Sequence, residues 1–196
     1  QKNPQALSIL TERIDSFIKG SGIPRNKIAG IGIGMPGFVD AKKGINYTFL
    51  KVAGTGITEF ISEKTSLPVF IDNDSSLIAL AELRFGSAVG KKNVMVINIG
   101  WGVGLGLVLN GELFRGHNGF AGEFSHIPLF ANGKLCSCGK TGCLETETSL
   151  LVIIEKAKQG LGAGKLSMLK TSQLEHYEDA NEAIIAAVHE GDRFAI

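Results

Sequence analysis

All three cysteines of this 196-residue chain, Cys136, Cys138 and Cys143, fall within eight positions, and His126 lies ten positions before the first of them. No other feature restricts the fold as tightly. Three thiols and one imidazole make a complete tetrahedral ligand set for zinc. Gly139 and Gly142 separate Cys138 from Cys143 and let a short loop double back, so that the sulfurs can face one point. The ordinary alternative is three free thiols buried in a core strand. Four glycines in and around the segment, at 122, 133, 139 and 142, argue against a packed strand. A disulfide framework would leave one thiol over. The spacing Cys-x-Cys-x4-Cys differs from the common Cys-x2-Cys finger, so His126 is needed to complete the zinc reading. Four protein ligands leave no open position for water, which makes the expected role structural. Glu123 and Glu145 flank the loop and can place carboxylates in a neighbouring cleft.

The length suits one large domain or two small ones with a real core. A formal net charge of +1 gives no electrostatic footprint for nucleic acid within the chain. No apolar run approaches a membrane span, and the polar start, Gln1-Lys-Asn-Pro, does not read as a signal peptide. Reduced cysteines without a targeting segment point to the cytoplasm. The 26 glycines cluster between positions 30 and 142, which suggests tight turns near a ligand.

Apolar spacing predicts a helix over 5–19, stopped by Gly20 and Gly22. Lys27 to Gly34 reads as a buried strand, Ile57 to Thr65 as a short helix and Pro68 to Ile71 as a strand. Ser75 to Phe85 reads as a helix with Asp74 or Ser75 as its N-cap and Gly86 as its C-cap. Asn93 to Ile99 is expected to be a strand buried on both faces. Leu107 to Leu109 resumes a strand, and Asn110-Gly111 is the strongest hairpin turn, leading into Glu112 to Phe114. A helix is expected over 149–159, broken by Gly160 to Gly164, and another from Asn181 to Val188. Alternating strands and helices with glycine-rich strand ends specify an α/β architecture, with the cleft at those ends.

Asp72, Asn73 and Asp74 stand where a strand becomes a helix. One of them is needed as a cap; the rest exceed that need. An Asn both donates to and accepts from hydroxyls, and an Asp can act as a general base. Gly100-Trp-Gly-Val-Gly-Leu-Gly106 offers backbone amides that a phosphate could approach, or it is simply a tight β-turn. It is not a Gly-x-x-x-x-Gly-Lys-Ser/Thr loop. Trp101 is read as core packing in preference to a stacking face for a sugar or base. His117 is placed in a loop near the cleft, and His176 and His189 on the surface.

These residues resemble the ROK family of bacterial sugar kinases and sugar-responsive transcriptional repressors. The matching pieces are Gly32-Ile-Gly-Met-Pro-Gly-Phe-Val-Asp40, Asn73-Asp74 with Ala79 to Glu82, the glycine turn with Asn110-Gly111, Gly122-Glu-Phe-Ser-His126, and Cys136 to Glu145. In character the chain is most similar to the N-acetylglucosamine and xylose repressors. The resemblance implies an actin-like ATPase (ribonuclease H-like) fold, truncated at both ends, with a zinc-binding loop. It implies a first-lobe remnant and the start of the second lobe over about 1–110, and a second-lobe part over 111–196 with the zinc loop at 126–143. It further implies that Asn73, Asp74, Glu123, His126 and Glu145 contact sugar hydroxyls, and that Asp74 is the general base in members that are kinases. His126 would then have one ring nitrogen on zinc and the other toward the ligand or a carboxylate.

Three departures separate this chain from the family's kinases. The Asp-x-Gly-Gly-Thr phosphate hairpin is missing. The loop that usually reads Gly-Thr-Gly-x-Gly is Gly100-Trp101-Gly102-Val103-Gly104, where an indole replaces a hydroxyl and would crowd a phosphate. Ser125 stands where Gly is typical before His126. The favoured expectation is the sugar-sensing domain of a repressor whose DNA-binding module lies outside this chain. The alternative is an ATP-dependent hexose or N-acylhexosamine kinase, with Mg-ATP against Gly100, Gly102 and Gly104. A homo-oligomer, dimer or tetramer, is expected, with no membrane partner.

Overall fold

The computed structural model describes residues 5–50 and 55–196. The chain divides into two compact units, Gln1–Val96 with Leu105–Gly122, and Ile97–Gly104 with Glu123–Ile196.

The first unit opens with α1, Ala6–Gly20. Its Leu7, Leu10 and Ile14 recur at helical spacing and pack on a core of Met35, Val39, Ile57, Ile61 and Ile71. The following strand, β1, runs Ile31–Met35 and starts later than the pattern suggested. Arg25–Lys27 form a 3-10 turn instead, closed by the Lys27 N–H on the Pro24 carbonyl at 2.8 Å. A short hairpin follows, β2 at Val39–Asp40 against β3 at Ile45–Asn46. Then come α2, Ile57–Thr65, and β4, Val69–Asn73. β4 pairs parallel with β1, in a register that sets Ile31 beside Val69 and Met35 beside Asn73. The α2 segment is thus the crossover that a parallel pair needs.

β4 runs directly into α3, Asp74–Phe85. The expected cap shifts by one residue. Asn73 is the N-cap, its side chain accepting from the Ser76 N–H, and Asp74 is the first helical residue. The third sheet has the order β5 (Val94–Ile99), β6 (Val103–Leu109), β7 (Glu112–Leu113). The β6–β7 turn is Asn110-Gly111, with φ of +56° and +82°, as a tight primed hairpin turn requires.

β5 is not buried on both faces. Val94 and Val96 are half-buried, whereas Met95, Ile97 and Ile99 are 64%, 53% and 61% exposed. Successive side chains of a strand point to opposite faces, and no described element covers the second face of β5. A continuous apolar run therefore marked a strand but not its surroundings.

The second unit carries α4 (Leu144–Thr148), α5 (Leu150–Gly162) and α6 (Tyr177–His189). Leu150, Ile154 and Ala157 of α5 meet Leu174, Ala180, Ile184 and Ala187 in one core. Gly160 does not stop α5, which continues to Gly162. A Cβ at Gly160 would lie 2.2 Å from the Phe194 ring, so this glycine admits a neighbour rather than ending a helix. α6 begins at Tyr177, ahead of the apolar stretch that announced it. Asp192 is buried near the C-terminal end and accepts hydrogen bonds from the backbone of Met168, Phe194 and Ala195 and from the Ser167 hydroxyl.

Two outcomes follow from this packing. A Cβ on Gly106 would lie 2.2 Å from the Ala79 Cβ and 2.7 Å from the Ser75 carbonyl oxygen. Gly106→Ala should cost about 1–3 kcal/mol of stability, read by denaturant unfolding. The donors around Asp192, led by the Met168 N–H, hold its carboxyl down at about 2, below the ordinary 3.8. A depressed carboxylate contributes stability that is fully present above the ordinary value and lost as pH falls through the depressed one. The melting temperature should therefore drop between pH 4 and pH 2, with a smaller drop in Asp192→Asn.

Candidate functional site

The sequence between His126 and Cys143 has little core of its own. Ile127, Leu129, Phe130 and Leu135 are all exposed. What it has is a doubled-back backbone. The Cys136 N–H donates to the Lys140 carbonyl at 2.8 Å, and the Gly139 N–H donates to the Cys136 carbonyl at 2.9 Å. Isolated antiparallel bridges join Leu135 to Thr141 and Pro128 to Cys143. Gly142 makes the return possible. Its φ is +71°, and a Cβ there would sit 1.8 Å from the Phe130 carbonyl oxygen.

This path brings His126, Cys136, Cys138 and Cys143 together, with all four ligand atoms within 4.8 Å of one another. Cys138 Sγ lies 3.6 Å from Cys143 Sγ, and Cys136 Sγ lies 3.5 Å from His126 Nδ1. In a tetrahedron with metal–sulfur bonds of about 2.3 Å, two sulfurs are about 3.8 Å apart. The four groups can therefore hold a metal ion with small adjustments. The other imidazole nitrogen, His126 Nε2, faces Glu123 Oε2 at 3.9 Å. A carboxylate behind a metal-binding imidazole fixes its ring orientation and tautomer. Burial pushes the Cys143 thiol up to about 12, while hydrogen bonding from the Lys140 backbone lowers Cys138. A metal must displace the Cys143 proton to bind.

Cys143 is also the N-cap of α4, so the knuckle sets where that helix starts. Glu145 stands in its first turn and turns its carboxylate onto the glycine turn of the same unit. Glu145 Oε2 accepts from the Val103 N–H at 3.4 Å, and a Cβ on Gly102 would lie 2.6 Å from that oxygen. The Gly100 N–H donates to the Gly102 carbonyl at 2.8 Å, and the Gly100 carbonyl accepts from Leu150. Trp101 is not a core residue. It is 71% exposed and lies against Tyr177, with ring centroids 5.1 Å apart. Its neighbours are glycines, which give an indole nothing to burrow into.

In the first unit, Asn73 has two tasks. Oδ1 caps α3, and Nδ2 donates to the Gly37 carbonyl at 3.2 Å. Asp74 Oδ1 accepts from the Ser75 N–H at 2.7 Å. Asp72 is taken by Arg115, which makes a two-pronged ion pair with it, Nη1 to Oδ1 at 2.8 Å and Nη2 to Oδ2. That carboxylate holds Arg115 firmly charged. No sequence signal tied Arg115 to a residue 43 positions away. The pair anchors the loop that leads through Asn118 and Phe120. Asn73 and Asp74 thus belong to the first unit, and Glu123, His126 and Glu145 to the second. His176 and His189 are exposed, as expected, and His117 is exposed as well.

The family model described as "ROK family" matches residues 2–196. The chain belongs to the ROK family. Among its relatives is a glucokinase of Halalkalibacterium halodurans, 35% identical over 95% of this chain and 58% of the relative. A xylose repressor of Caldicellulosiruptor bescii is 33% identical over 95% of this chain and 47% of the repressor. A crystal structure of a ROK family transcriptional regulator, a homologue of the E. coli MLC protein, matches with a TM-score of 0.79 and 34% identity, over 96% of this chain and 47% of that one. A ROK family glucokinase from Streptomyces griseus, in complex with glucose and AMPPNP, matches with a TM-score of 0.78 and 30% identity, over 99% and 63%. The chain thus spans about half to three fifths of the length of these relatives. It has the α/β, actin-like ATPase fold of the ROK proteins. Among the described residues, no helix is long and apolar enough to cross a membrane.

The purified ROK chain should carry about one metal ion, detected by plasma emission spectroscopy. Cys143→Ser should abolish retention, and acidification should release the ion progressively as protons compete for the thiolates. Metal content unchanged in Cys143→Ser would refute the ligand set.

Proposed function

We propose that this chain is the sugar-sensing effector domain of a ROK-type transcriptional regulator, binding a hexose or amino sugar beside a structural zinc. The observation that carries this reading is the state of the glycine turn. A phosphate subsite needs unclaimed N–H groups and no nearby negative charge. Here the Val103 N–H already faces the Glu145 carboxylate, and the Gly100 N–H is used within the turn. Trp101 replaces the hydroxyl residue that would greet a phosphate. A neutral sugar has none of these difficulties, because carboxylates accept from its hydroxyls and amides both accept from and donate to them.

In this reading Asn73, Asp74, Glu123, His126 and Glu145 bind the sugar hydroxyls. His126 links the zinc to the sugar, with Glu123 fixing the imidazole. Zinc, with four protein ligands, supplies rigidity to a loop that lacks a core. Sugar binding would shift the protein between states of different operator affinity, by as much as its affinity differs between them. DNA would be read by a module outside this chain, and the regulator would be a homo-oligomer, dimer or tetramer, in the cytoplasm.

One observation favours a second reading, an ATP-dependent hexose or N-acylhexosamine kinase. Asp74 is held by the Ser75 N–H through Oδ1 alone, with Oδ2 making no hydrogen bond among the described residues, as a general base requires. In that case Gly100, Gly102 and Gly104 would approach the phosphates of Mg-ATP.

Calorimetry on the full-length protein distinguishes the two. Glucose, xylose or N-acetylglucosamine should bind, and Asp74→Asn should weaken that binding roughly ten- to hundred-fold. The bound sugar should change operator affinity, and Mg-ATP should give no heat. Sugar-dependent release of ADP would overturn the regulator in favour of the kinase.

A further inference from the structure

The first unit holds a cleft that none of the sugar-site residues lines. Its volume is about 550 Å³, and its walls, among the described residues, are Phe38, Asp40, Lys43, Tyr47, Asn118 and Phe120. That volume falls within the range of roughly 300–1,000 Å³ typical of small-molecule sites. Three of the six walls are aromatic. Phe120 meets Phe38 edge-on, with ring centroids 6.1 Å apart, and meets Tyr47 in the same manner at 6.3 Å. The other walls are polar. Asp40 Oδ2 lies 3.2 Å from Lys43 Nζ and accepts from the Tyr47 hydroxyl at 3.5 Å.

The cleft adjoins the sugar-binding residues of this unit along the backbone. Phe38 follows Gly37, whose carbonyl accepts from Asn73 Nδ2. Gly37 is pinned there, with a φ of +86° and Thr48 side-chain atoms 2.7 Å from where a Cβ would be. From the other side, Asn118 and Phe120 sit on the loop that Arg115 ties to Asp72, the residue before Asn73. The same loop is closed by the Ala121 N–H on the Arg115 carbonyl at 3.0 Å. Both walls are therefore fixed relative to Asn73 by named hydrogen bonds.

We propose that this cleft is a second carbohydrate subsite, which takes the next ring of a neutral disaccharide whose first ring is held at Asn73 and Asp74. This rests on the sugar-binding reading above and extends it to the size and charge of the effector. Aromatic faces and edges pack on the apolar C–H face of a pyranose, and a carboxylate, an amide and a phenol satisfy its hydroxyls. Charge points the same way. Lys43 is already neutralised by Asp40 at 3.2 Å, so the cleft offers no unpaired cation to a sugar phosphate.

The test is calorimetry on the full-length protein with glucose against cellobiose and xylose against xylobiose, and with glucose 6-phosphate. At least one disaccharide should bind about ten-fold more tightly than its monosaccharide. Phe120→Ala and, separately, Tyr47→Ala should remove about that factor for the disaccharide and change the monosaccharide by less than about two-fold. Melting temperatures of both variants identify any that misfolds, and the other then decides. If a monosaccharide binds and its disaccharide does not, or if both variants weaken the two sugars alike, the second subsite is wrong and the sugar-binding reading stands. Tighter binding of glucose 6-phosphate than of cellobiose would also overturn it. If none of these sugars binds, both readings fall together.

Discussion

Four potential ligand atoms within 4.8 Å of one another stand at the closure of a stretch of chain that has little hydrophobic burial of its own. Between His126 and Cys143 only Cys136, Gly142 and Cys143 are buried, and the large apolar side chains face outward. A segment with that little core needs something other than apolar contact to close it, and a cation shared by these four groups would do so through the backbone path the glycines permit. The consequences run in both directions along the chain. Toward the N-terminus, His126 is aligned with Glu123 behind it. Toward the C-terminus, Cys143 starts α4 and delivers Glu145 to the glycine turn.

The first unit positions its polar residues through hydrogen bonds and an ion pair. Three polar residues span the junction of β4 and α3, and each is assigned a different partner. Asp72 goes to Arg115, Asn73 to the α3 N-terminus and Gly37, and Asp74 to the Ser75 N–H. Only the parallel pairing of β1 with β4 makes this possible, because it sets Met35, and hence the turn through Gly37, beside Asn73. Backbone hydrogen bonds in the sheet thus determine where two side chains can act. The two units hold their polar side chains by different means, a sheet edge with charge pairing in one and a doubled-back Cys-His loop in the other.

Much of this was legible beforehand. The α/β class, most elements, the hairpin at Asn110-Gly111 and the convergence of His126 with three cysteines follow from local rules of spacing, turn chemistry and ligand type. The errors have a common origin. The cap is Asn73 and neither Asp74 nor Ser75, because all three are good capping types and the end of β4 decides which one reaches the Ser76 N–H. Gly160 passed for a helix stop when it makes room for Phe194, 34 positions on. Trp101 passed for a core residue because its hydrophobicity is visible and its surroundings are not.

The sequence by itself determined which chemistry is present: a four-ligand metal set, an Asn-Asp pair at a strand end and a glycine turn that carries an indole. Those are matters of residue type and short spacing, and short spacing survives folding almost unchanged. Only the tertiary structure decided what each group does with its lone pairs and protons. Asp72 is spent on Arg115 and Glu145 on the Val103 N–H. Partners separated by tens of residues meet through strand pairing and loop closure, and pairwise attraction of this kind leaves no periodic trace along a chain.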